Sequence, residues 1–191
     1  GNKWMRIISG KFKGKKILQP KDKLTRPLKD LTKESIFNII KHSNKFNINI
    51  EKANILDLFS GVGSFGLECL SRGASTAIFV ENYKEVVPVL KKNILNLNCH
   101  NNSKIIEKDI LNQLDFNSLK VKFDIIFIDP PYKEKGLKSL LKKIIESNIL
   151  SMSGIFIIHR HKKENDELPY GFNLIEQKTY GISKIIFGHA S

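Results

Sequence analysis

The residues best suited to chemistry in this sequence lie where an apolar run ends. Residues 123–128 are followed directly by Asp129, Pro130, Pro131 and Tyr132. The Asp129 carboxylate and the Pro130 carbonyl could accept both hydrogens of an exocyclic amine and turn its lone pair toward an electrophile. Proline restricts the backbone so that this carbonyl would point into a site, and Tyr132 could stack on an extruded base. A proline pair can simply terminate a strand, but an aspartate at the end of a buried strand favours a functional role.

A second candidate site is a glycine-rich segment between a predicted strand and a predicted helix. Residues 60–66 read SGVGSFG, a GxGxxG pattern that lets the backbone approach a ligand at a helix N-terminus. A nicotinamide dehydrogenase or a plain tight turn would show the same glycines. Asp57 favours another ligand, because its carboxylate would repel the pyrophosphate that dehydrogenases bind there. A cationic ligand with an amino group, such as S-adenosylmethionine, would be attracted by it.

Acidic residues also follow the next two predicted strands. Glu81 lies 24 residues after Asp57, close to the roughly 20-residue spacing at which an acid meets ribose hydroxyls. Asp109 could accept a hydrogen bond from an adenine amino group, and Ile110 could pack on the ring. Each acid could be a solvated loop residue, but three acids after three consecutive strands favour S-adenosylmethionine as cofactor. The predicted cofactor-binding residues are Asp57, Phe59, Ser60, Gly61, Gly63, Glu81, Asn82, Asp109 and Ile110.

The predicted elements place these residues at one edge of a parallel sheet. From residue 52 onward, strands that are apolar throughout alternate with helices, the pattern of an α/β sheet covered on both faces. The last two strands, 173–179 and 182–187, are joined by Tyr180-Gly181, which predicts an antiparallel hairpin. The predicted strands are 55–59, 76–80, 104–107, 123–128 and 155–158, and the predicted helices are 65–71, 84–96 and 137–147.

Residues 1–50 are predicted to form an extension with elements of its own. Strands at 5–9 and 15–18 around two glycines indicate a hairpin, and residues 19–29 with two prolines indicate a loop. A helix is predicted from Asp30 to about Asn44, with Asp30 or Thr32 as N-cap. We therefore expect two parts, an extension (1–50) and a catalytic domain (51–191).

The positive charge of the chain is concentrated in this extension. Residues 1–50 hold thirteen basic and three acidic side chains, so +10 of the total formal charge of +13 lies there. An AT-rich genome also enriches lysine, but it would spread the charge evenly. The pattern therefore predicts contact with a polyanion through the extension. The residues predicted to contact this polyanion are Arg6, Lys11, Lys13, Lys15, Lys16, Arg26 and Lys29.

The sequence argues against several other classes of protein. No apolar run reaches the roughly 18 to 20 residues of a membrane-spanning helix, and no apolar signal segment begins the sequence. Cys69 and Cys99 show neither CxxC spacing nor nearby clustered histidines, which predicts free thiols and no metal site. We expect a cytoplasmic monomer. Residues 159–161, His-Arg-His, are expected to be a solvated strand end.

The motifs carry a family resemblance. The segment DPPY resembles the [D/N]PP[Y/F] signature of class I S-adenosylmethionine-dependent amino-methyltransferases. Over nearly the whole chain, the sequence looks more closely like the bacterial 16S rRNA guanine-N2 methyltransferases of the RsmD type. The matching segments are MRIISG (5–10), KGKK (13–16), TRP (25–27), KESIFN (33–38), DLFSGVGSFGLE (57–68), LSRGA (70–74) and DPPY (129–132).

This resemblance implies a Rossmann-like class I methyltransferase fold with a mostly parallel seven-stranded sheet. It implies methyl transfer from S-adenosylmethionine to N2 of one guanine in 16S rRNA, within the small ribosomal subunit or an assembly intermediate. The cofactor positions of the family fall on Asp57, Gly61, Gly63, Glu81 and Asp109, and its catalytic loop falls on residues 129–132. The family usually reads RPTTDR where this chain has RPLKDL at 26–31. Lys29 or Lys33 is expected to supply charge there.

Two alternatives remain open at this point. A DNA adenine-N6 or cytosine-N4 methyltransferase could use the same loop, although such enzymes generally carry a separate target-recognition domain. A non-catalytic RNA-binding module could use the same fold as a scaffold, although the intact DPPY segment and the three acids favour an enzyme.

Overall fold

The protein folds around one seven-stranded mixed sheet with a small hairpin beside it. A computed structural model describes residues 5–21 and 27–191. The hairpin pairs β1 (Met5–Arg6) with β2 (Lys16–Ile17). The sheet contains β3 (Asn54–Leu58), β4 (Thr76–Val80), β5 (Ser103–Ile106), β6 (Phe123–Ile128), β7 (Leu150–His161), β8 (Phe172–Tyr180) and β9 (Ser183–Ala190). The helices are α1 (Asp30–His42), α2 (Ser64–Ser71), α3 (Val87–Asn96) and α4 (Leu137–Ser147), with short 3₁₀ helices at His100–Asn102 and Phe116–Ser118.

The strand order is β5-β4-β3-β6-β7-β9-β8. The first five strands in this order are parallel, and β9 pairs antiparallel with both β7 and β8. The predicted α/β class, the mostly parallel seven-stranded sheet and the antiparallel C-terminal hairpin are therefore confirmed. The chain moves from β3 outward to β5 and then returns to β6 on the other side of β3. This reversal creates a switch point between β3 and β6, where open sheets of this kind bind ligands.

Each face of the sheet carries its own apolar core, because side chains alternate along a strand. Ile55 faces a core that includes α1, α2 and α3, whereas Leu56 and Leu58 face a core that includes α4. The carboxylate of Asp57 points to the same side as Ile55, where it meets α2. The alternation thus directs one acid of the central strand toward the helix that follows the glycine-rich turn.

Several element bounds differ from the predictions. Helix α1 begins at Asp30 with Lys29 in the N-cap position and no side-chain cap, so the predicted cap by Asp30 or Thr32 is wrong. Helix α3 begins only at Val87, which places Pro88 in its first turn, where proline is tolerated. Strand β7 is much longer than predicted, since it continues to residue 161 while pairing with β9.

The extension shares an apolar core with the sheet. Met5, Ile17 and Ile36 are buried in the same cluster as Ile55 and Leu67. Helix α1 contributes Ile36, Phe37 and Ile40 from one face, as its amphipathic pattern predicts. The division into parts 1–50 and 51–191 stays a prediction about function, and the described residues of both parts pack together.

Candidate active site

The candidate site lies at the carboxyl ends of β3 and β6, on both sides of the switch point. The two strands are neighbours, with Asp57 opposite Phe127 and Leu58 opposite Ile128. One residue further on, the Asp129 amide donates to the Leu58 carbonyl at 3.3 Å. The register therefore brings Asp57 and Asp129, 72 residues apart in the chain, to the same edge of the sheet.

The glycine-rich turn leaves open space beside its backbone. Gly61 and Gly63 have φ values of +57° and +90°, a region that side chains with a Cβ rarely adopt. A Cβ placed on Gly61 would meet no atom within 4 Å. The turn closes through a hydrogen bond from the Gly63 amide to the Ser60 carbonyl, and α2 begins at Ser64. A Cβ on Gly63 would instead lie 2.7 Å from a Leu90 methyl group, so the open main chain is at Gly61, ahead of the N-terminus of α2.

The third glycine of the motif has a packing role. A Cβ on Gly66 would lie 2.4 Å from the Phe79 ring and 3.1 Å from Asp57 Oδ2. Its amide donates to that carboxylate oxygen at 3.0 Å. Only glycine allows α2 to approach β3 and β4 this closely, and the close approach fixes the Asp57 side chain.

Asp57 is buried and only half satisfied. Its Oδ2 accepts from Gly66, whereas its Oδ1 has no hydrogen-bond partner among the described residues. Burial raises the pKa of the Asp57 carboxyl well above its usual range, and the nearby charges of Asp129 and Glu81 raise it further. Such a carboxylate would gain most from a cationic ligand.

A second buried polar atom at the turn also indicates that a ligand binds there. The Ser60 hydroxyl is also without a partner in the part of the chain that the structure describes. An unsatisfied buried polar group costs roughly 1–3 kcal/mol, so two of them within residues 57–60 indicate a site for a polar ligand. The amino and carboxylate groups of an amino-acid moiety, as in S-adenosylmethionine, would satisfy both.

Glu81 lies on the other side of the glycine turn. Its carboxylate accepts from the Gly61 amide at 2.9 Å and from the Tyr83 amide at 3.0 Å. The neighbouring Asn82 is exposed. The carboxylate is therefore held against the turn, where it could accept from ribose hydroxyls, and this role stays a prediction.

Asp109 and Ile110 follow β5, as expected. The Asp109 carboxylate accepts from the Leu111 amide at 2.9 Å and from the Asn112 side chain at 3.2 Å. These bonds, that from the Asn112 side chain above all, lower the pKa of Asp109. Ile110 is buried in the core that contains α4. Asp109 thus holds its own turn together, and contacts of these two residues with adenine stay a prediction.

The DPPY segment is held by the end of β7. Pro130 is buried, Pro131 is exposed, and Asp129 and Tyr132 are half-buried. The Tyr132 ring meets the His161 ring edge-to-face, with centroids 5.2 Å apart. The loop thus combines a fixed backbone with two side chains that a substrate could reach.

The expectation of a solvated strand end at residues 159–161 was wrong for Arg160. Its side chain is buried and forms a bidentate pair with Asp166, at 2.8 and 3.0 Å. It also donates to the carbonyls of Pro131 and Glu134, at 3.2 and 3.1 Å. Sequence reasoning missed this role. The available signal was an arginine inside an apolar strand pattern, which requires a partner when buried.

The predicted RNA-binding residues lie mostly on the exposed side of the extension. Those that are described, namely Arg6, Lys11, Lys13, Lys15, Lys16 and Lys29, are all exposed. Arg26 lies outside the described residues. The proposal that any of them contacts RNA stays a prediction, although their exposure is compatible with it.

Lys33, which was expected as an alternative to Lys29 to supply charge near residues 26–31, differs from these exposed residues. Its side chain is fully buried, lies 3.2 Å from Glu68, and donates to Ser64 Oγ and to the Arg6 carbonyl. Burial lowers the pKa of Lys33 in spite of the Glu68 carboxylate beside it. The residue links the extension to α2 and cannot reach a ligand from this position.

Glu68 is the matching residue that sequence reasoning missed. Its carboxylate accepts from the amides of Ile8 and Ser9, at 2.9 and 3.0 Å, as well as from Arg72. Asn93 ties the extension down at a second point, since it bonds to both main-chain groups of Leu18 and donates to the Val62 carbonyl in the glycine turn. The extension is therefore fastened directly to the elements that carry the candidate site.

Residues 5–21 and 27–191 contain no cluster of three or more His, Cys, Asp or Glu side chains that could hold a metal ion. No helix within them is long and apolar enough to cross a membrane. Cys69 and Cys99 are both buried free thiols.

The fold and the site together define a class I methyltransferase. Solved structures support this class. The Haemophilus influenzae "putative methylase HI0767" superposes with a TM-score of 0.75 at 28% identity over 99% of this chain and all of that chain. The Escherichia coli protein yhhF, at 24% identity, shares the fold over 99% of both chains with a TM-score of 0.79. This fold implies S-adenosylmethionine as the cofactor.

Sequence relatives narrow the class to one family. The family model described as "Conserved hypothetical protein 95" matches residues 5–189, and this chain belongs to that family. The Haemophilus influenzae ribosomal RNA small subunit methyltransferase D is 31% identical over 93% of this chain and 90% of its own length. The protein of the same name from Buchnera aphidicola (strain Bp) is 32% identical over 95% of this chain and 88% of its own length.

Proposed function

We propose that this protein transfers a methyl group from S-adenosylmethionine to the exocyclic N2 of one guanine in 16S rRNA. The observation that carries the proposal is the placement of Asp57 and Asp129 at adjacent strand ends of a methyltransferase fold. Among the described residues, Asp57 Oδ1 is a buried oxygen without a partner, and Asp129 begins the loop suited to hold an amine. The two relatives named as small subunit methyltransferases support rRNA as the substrate class.

The cofactor side of the site needs groups for the amino-acid end and for the ribose, and the chain offers both. Asp57 Oδ1 and Ser60 Oγ offer unsatisfied buried atoms for the amino-acid end. The Glu81 carboxylate offers acceptors for ribose hydroxyls beside the turn. When bound, S-adenosylmethionine supplies an electrophilic methyl group on a sulfonium. The buried carboxylate near this position favours a cationic ligand over a neutral or anionic one.

The substrate side must make a poor nucleophile reactive. The lone pair of a guanine amine is delocalised into the ring. Asp129 and the Pro130 carbonyl can each accept one amine hydrogen, which orients the lone pair toward the methyl group. As the nitrogen becomes positive, the Asp129 carboxylate stabilises it and can take the proton that the nitrogen loses. Tyr132 offers a face on which the extruded base can stack.

The extension supplies the affinity for RNA in this proposal. It carries most of the net charge of the chain, and its described residues Lys11, Lys13, Lys15, Lys16 and Lys29 are exposed. Phosphate contacts of this kind hold and orient a nucleic acid without reading its sequence. The choice of one guanine would then depend on the shape of the small subunit or of an assembly intermediate.

The decisive experiment maps methylated nucleotides by mass spectrometry in cells with and without the gene. We expect one N2-methylguanine of 16S rRNA to disappear when the gene is absent. The purified protein should restore it on small subunits from the deleted cells, and deproteinised 16S rRNA tested in parallel shows whether the particle is required. Loss of N6-methyladenine or N4-methylcytosine from DNA would instead support the DNA methyltransferase alternative. If no modification is lost, the non-catalytic alternative is supported.

The catalytic role of Asp129 gives a direct test at the protein level. We expect Asp129→Ala to reduce methyl transfer at least a hundredfold, the order of loss seen when one preorganised transition-state contact is removed. The affinity for S-adenosylmethionine, measured by calorimetry, should change little. Near-normal turnover in a radiolabelled methyl-transfer assay would exclude this role.

A further inference from the structure

His159 connects the candidate catalytic carboxylate to the antiparallel part of the sheet. Its Nδ1 lies 2.9 Å from Asp129 Oδ1, and its Nε2 lies 2.8 Å from Ser183 Oγ. The side chain is 11% exposed. The imidazole therefore bridges two groups in a largely dry environment, where hydrogen bonds orient side chains strongly.

The backbone around this bridge is fixed on both sides. His159 belongs to β7, which pairs with β6 at Ile158 opposite Ile128 and with β9 at His159 opposite Ile185. Asp129 follows β6 directly, and Ser183 is the first residue of β9. The imidazole thus originates from a strand that is hydrogen-bonded to the strands carrying both of its partners.

The hydrogen-bonding capacities of Asp129, His159 and Ser183 determine which ring nitrogen carries the proton. An ionised carboxylate can only accept, so Nδ1 must donate to Asp129. In the neutral imidazole Nε2 then accepts from the Ser183 hydroxyl. This arrangement occupies Oδ1 of Asp129 and leaves Oδ2 as the oxygen available to a substrate.

We propose that His159 is a positioning residue that holds the Asp129 carboxylate in its reactive orientation. The proposal rests on the proposed function, since it concerns the carboxylate that accepts the substrate amine. Without the Nδ1–H donor, the carboxylate of a half-buried aspartate can rotate, and misplacement by about 1 Å can reduce a rate about a hundredfold. Arg160 holds a different part of the loop, the main-chain carbonyls of Pro131 and Glu134.

Two substitutions distinguish the contribution of the Nδ1 hydrogen bond from that of the Nε2 hydrogen bond. The side-chain amide of His159→Asn reaches about as far as Nδ1 and can donate to Asp129. That of His159→Gln reaches about as far as Nε2 and can bond only to Ser183.

We expect His159→Gln and His159→Ala to lose about ten- to a hundredfold in kcat, with KM for both substrates changed less than about threefold. His159→Asn should recover most of the lost kcat. His100→Gln, an exposed histidine in a 3₁₀ helix, is the matched control and should retain wild-type kcat.

A second measurement does not depend on activity. Long-range ¹H–¹⁵N spectra of the imidazole, recorded at alkaline pH, report which ring nitrogen carries the proton. We expect the Nδ1–H tautomer for His159, and the Nε2–H tautomer would overturn the proposal.

Equal kcat for all three variants, or a larger loss in His159→Asn than in His159→Gln, would overturn it as well. If the wild-type protein methylates no rRNA, the proposed function fails. If it does methylate rRNA and the order of the variants is wrong, only the role of His159 fails.

Discussion

At the scale of single residues, the candidate site is a group of acids held close together. Burial and the charges of Asp129 and Glu81 disfavour ionisation of Asp57 in the free protein. A structural role would be better served by a neutral side chain. The carboxylate is explained if the site is built for a cation, because the ligand then supplies the missing counter-charge.

Replacement of Asp57 by asparagine tests this idea through stability. Because the pKa of Asp57 is raised in the folded state, the folded protein binds this proton more tightly than the unfolded chain. The contribution of Asp57 to the free energy of unfolding is therefore fully present at pH values below the usual aspartate pKa. It is lost as the pH rises toward the raised pKa of the folded state. We therefore expect ligand-free Asp57→Asn to melt above the wild type at neutral pH, by about 2–4 °C for each 1 kcal/mol gained. The two proteins should differ little at low pH.

The same variant should lose its response to the cofactor. In scanning fluorimetry, S-adenosylmethionine should raise the Tm of the wild type and leave that of Asp57→Asn nearly unchanged. A variant that is less stable at neutral pH, or that responds normally to the cofactor, would contradict the role of Asp57.

Glu81 gives a second test at the residue scale. Glu81→Gln keeps one acceptor for the Gly61 amide but removes the charge and one oxygen. A lost hydrogen bond to a charged group is worth roughly 1.5–3 kcal/mol, so the Kd for S-adenosylmethionine should rise about tenfold or more. Glu85→Gln, an exposed acid four residues later, serves as control. An unchanged Kd by calorimetry would remove Glu81 from the ribose site.

At the scale of elements, the extension and α2 form one structural unit. The buried carboxylate of Glu68 serves four donors, two of them main-chain amides of the segment after β1. Lys33 bonds in addition to Ser64, the first residue of α2 after the glycine turn. The position of the described part of the extension relative to the glycine turn is therefore fixed by buried polar contacts.

Glu68→Gln should be severely destabilising for this reason. The variant leaves the buried Lys33 without its nearest counter-ion, since Asp30 lies at 4.0 Å, and it provides one acceptor in place of two. Breaking a buried pair in this way typically costs about 3–5 kcal/mol, which urea unfolding can measure. Glu107→Gln, which breaks a half-exposed pair with Lys91, should cost less than about 1 kcal/mol. Similar losses in the two variants would mean that the Glu68 cluster contributes little.

At the scale of the whole molecule, the net charge is concentrated in the extension, which holds +10 of the total of +13. The described residues of the extension pack on the face of the sheet that also carries α2 and α3. The face with α4 also has exposed lysines, but acidic residues accompany them. A polyanion is therefore expected to approach from the side of the extension.

Charge reversal on each face tests this orientation. Lys13→Glu/Lys15→Glu should weaken binding to 16S rRNA and reduce the slope of log Kd against log salt by about one to two, since each lost phosphate contact contributes roughly 0.7–0.9. The control Lys120→Glu/Lys142→Glu changes the net charge equally at exposed positions associated with the other face. Equal effects of the two double variants would show that net charge alone governs binding.

The sequence was most informative about features that depend on residues close together in the chain. Apolar runs, their spacing and the residues that end them predicted the sheet and its parallel and antiparallel parts, because strand periodicity and turn chemistry act over a few residues. The DPPY segment, the glycine turn and the acids that follow three strands were also visible, since parallel strands deliver their carboxyl ends to one edge. Element bounds were less accurate, as for β7, because its last residues are stabilised by pairing with β9.

Only the tertiary structure decided which polar residues support the site. Lys33 looked like a surface cation and is a buried partner of Glu68, and Arg160 looked like a solvated strand end and holds the candidate catalytic loop. His159 reaches Asp129 across 30 positions of sequence. Burial and long-range hydrogen bonding depend on which strands and helices become neighbours, and that information is not contained in any local pattern. The sequence by itself thus determined the fold class and indicated the chemistry expected of the site. The packing of distant elements determined which side chains hold the candidate catalytic residues in position.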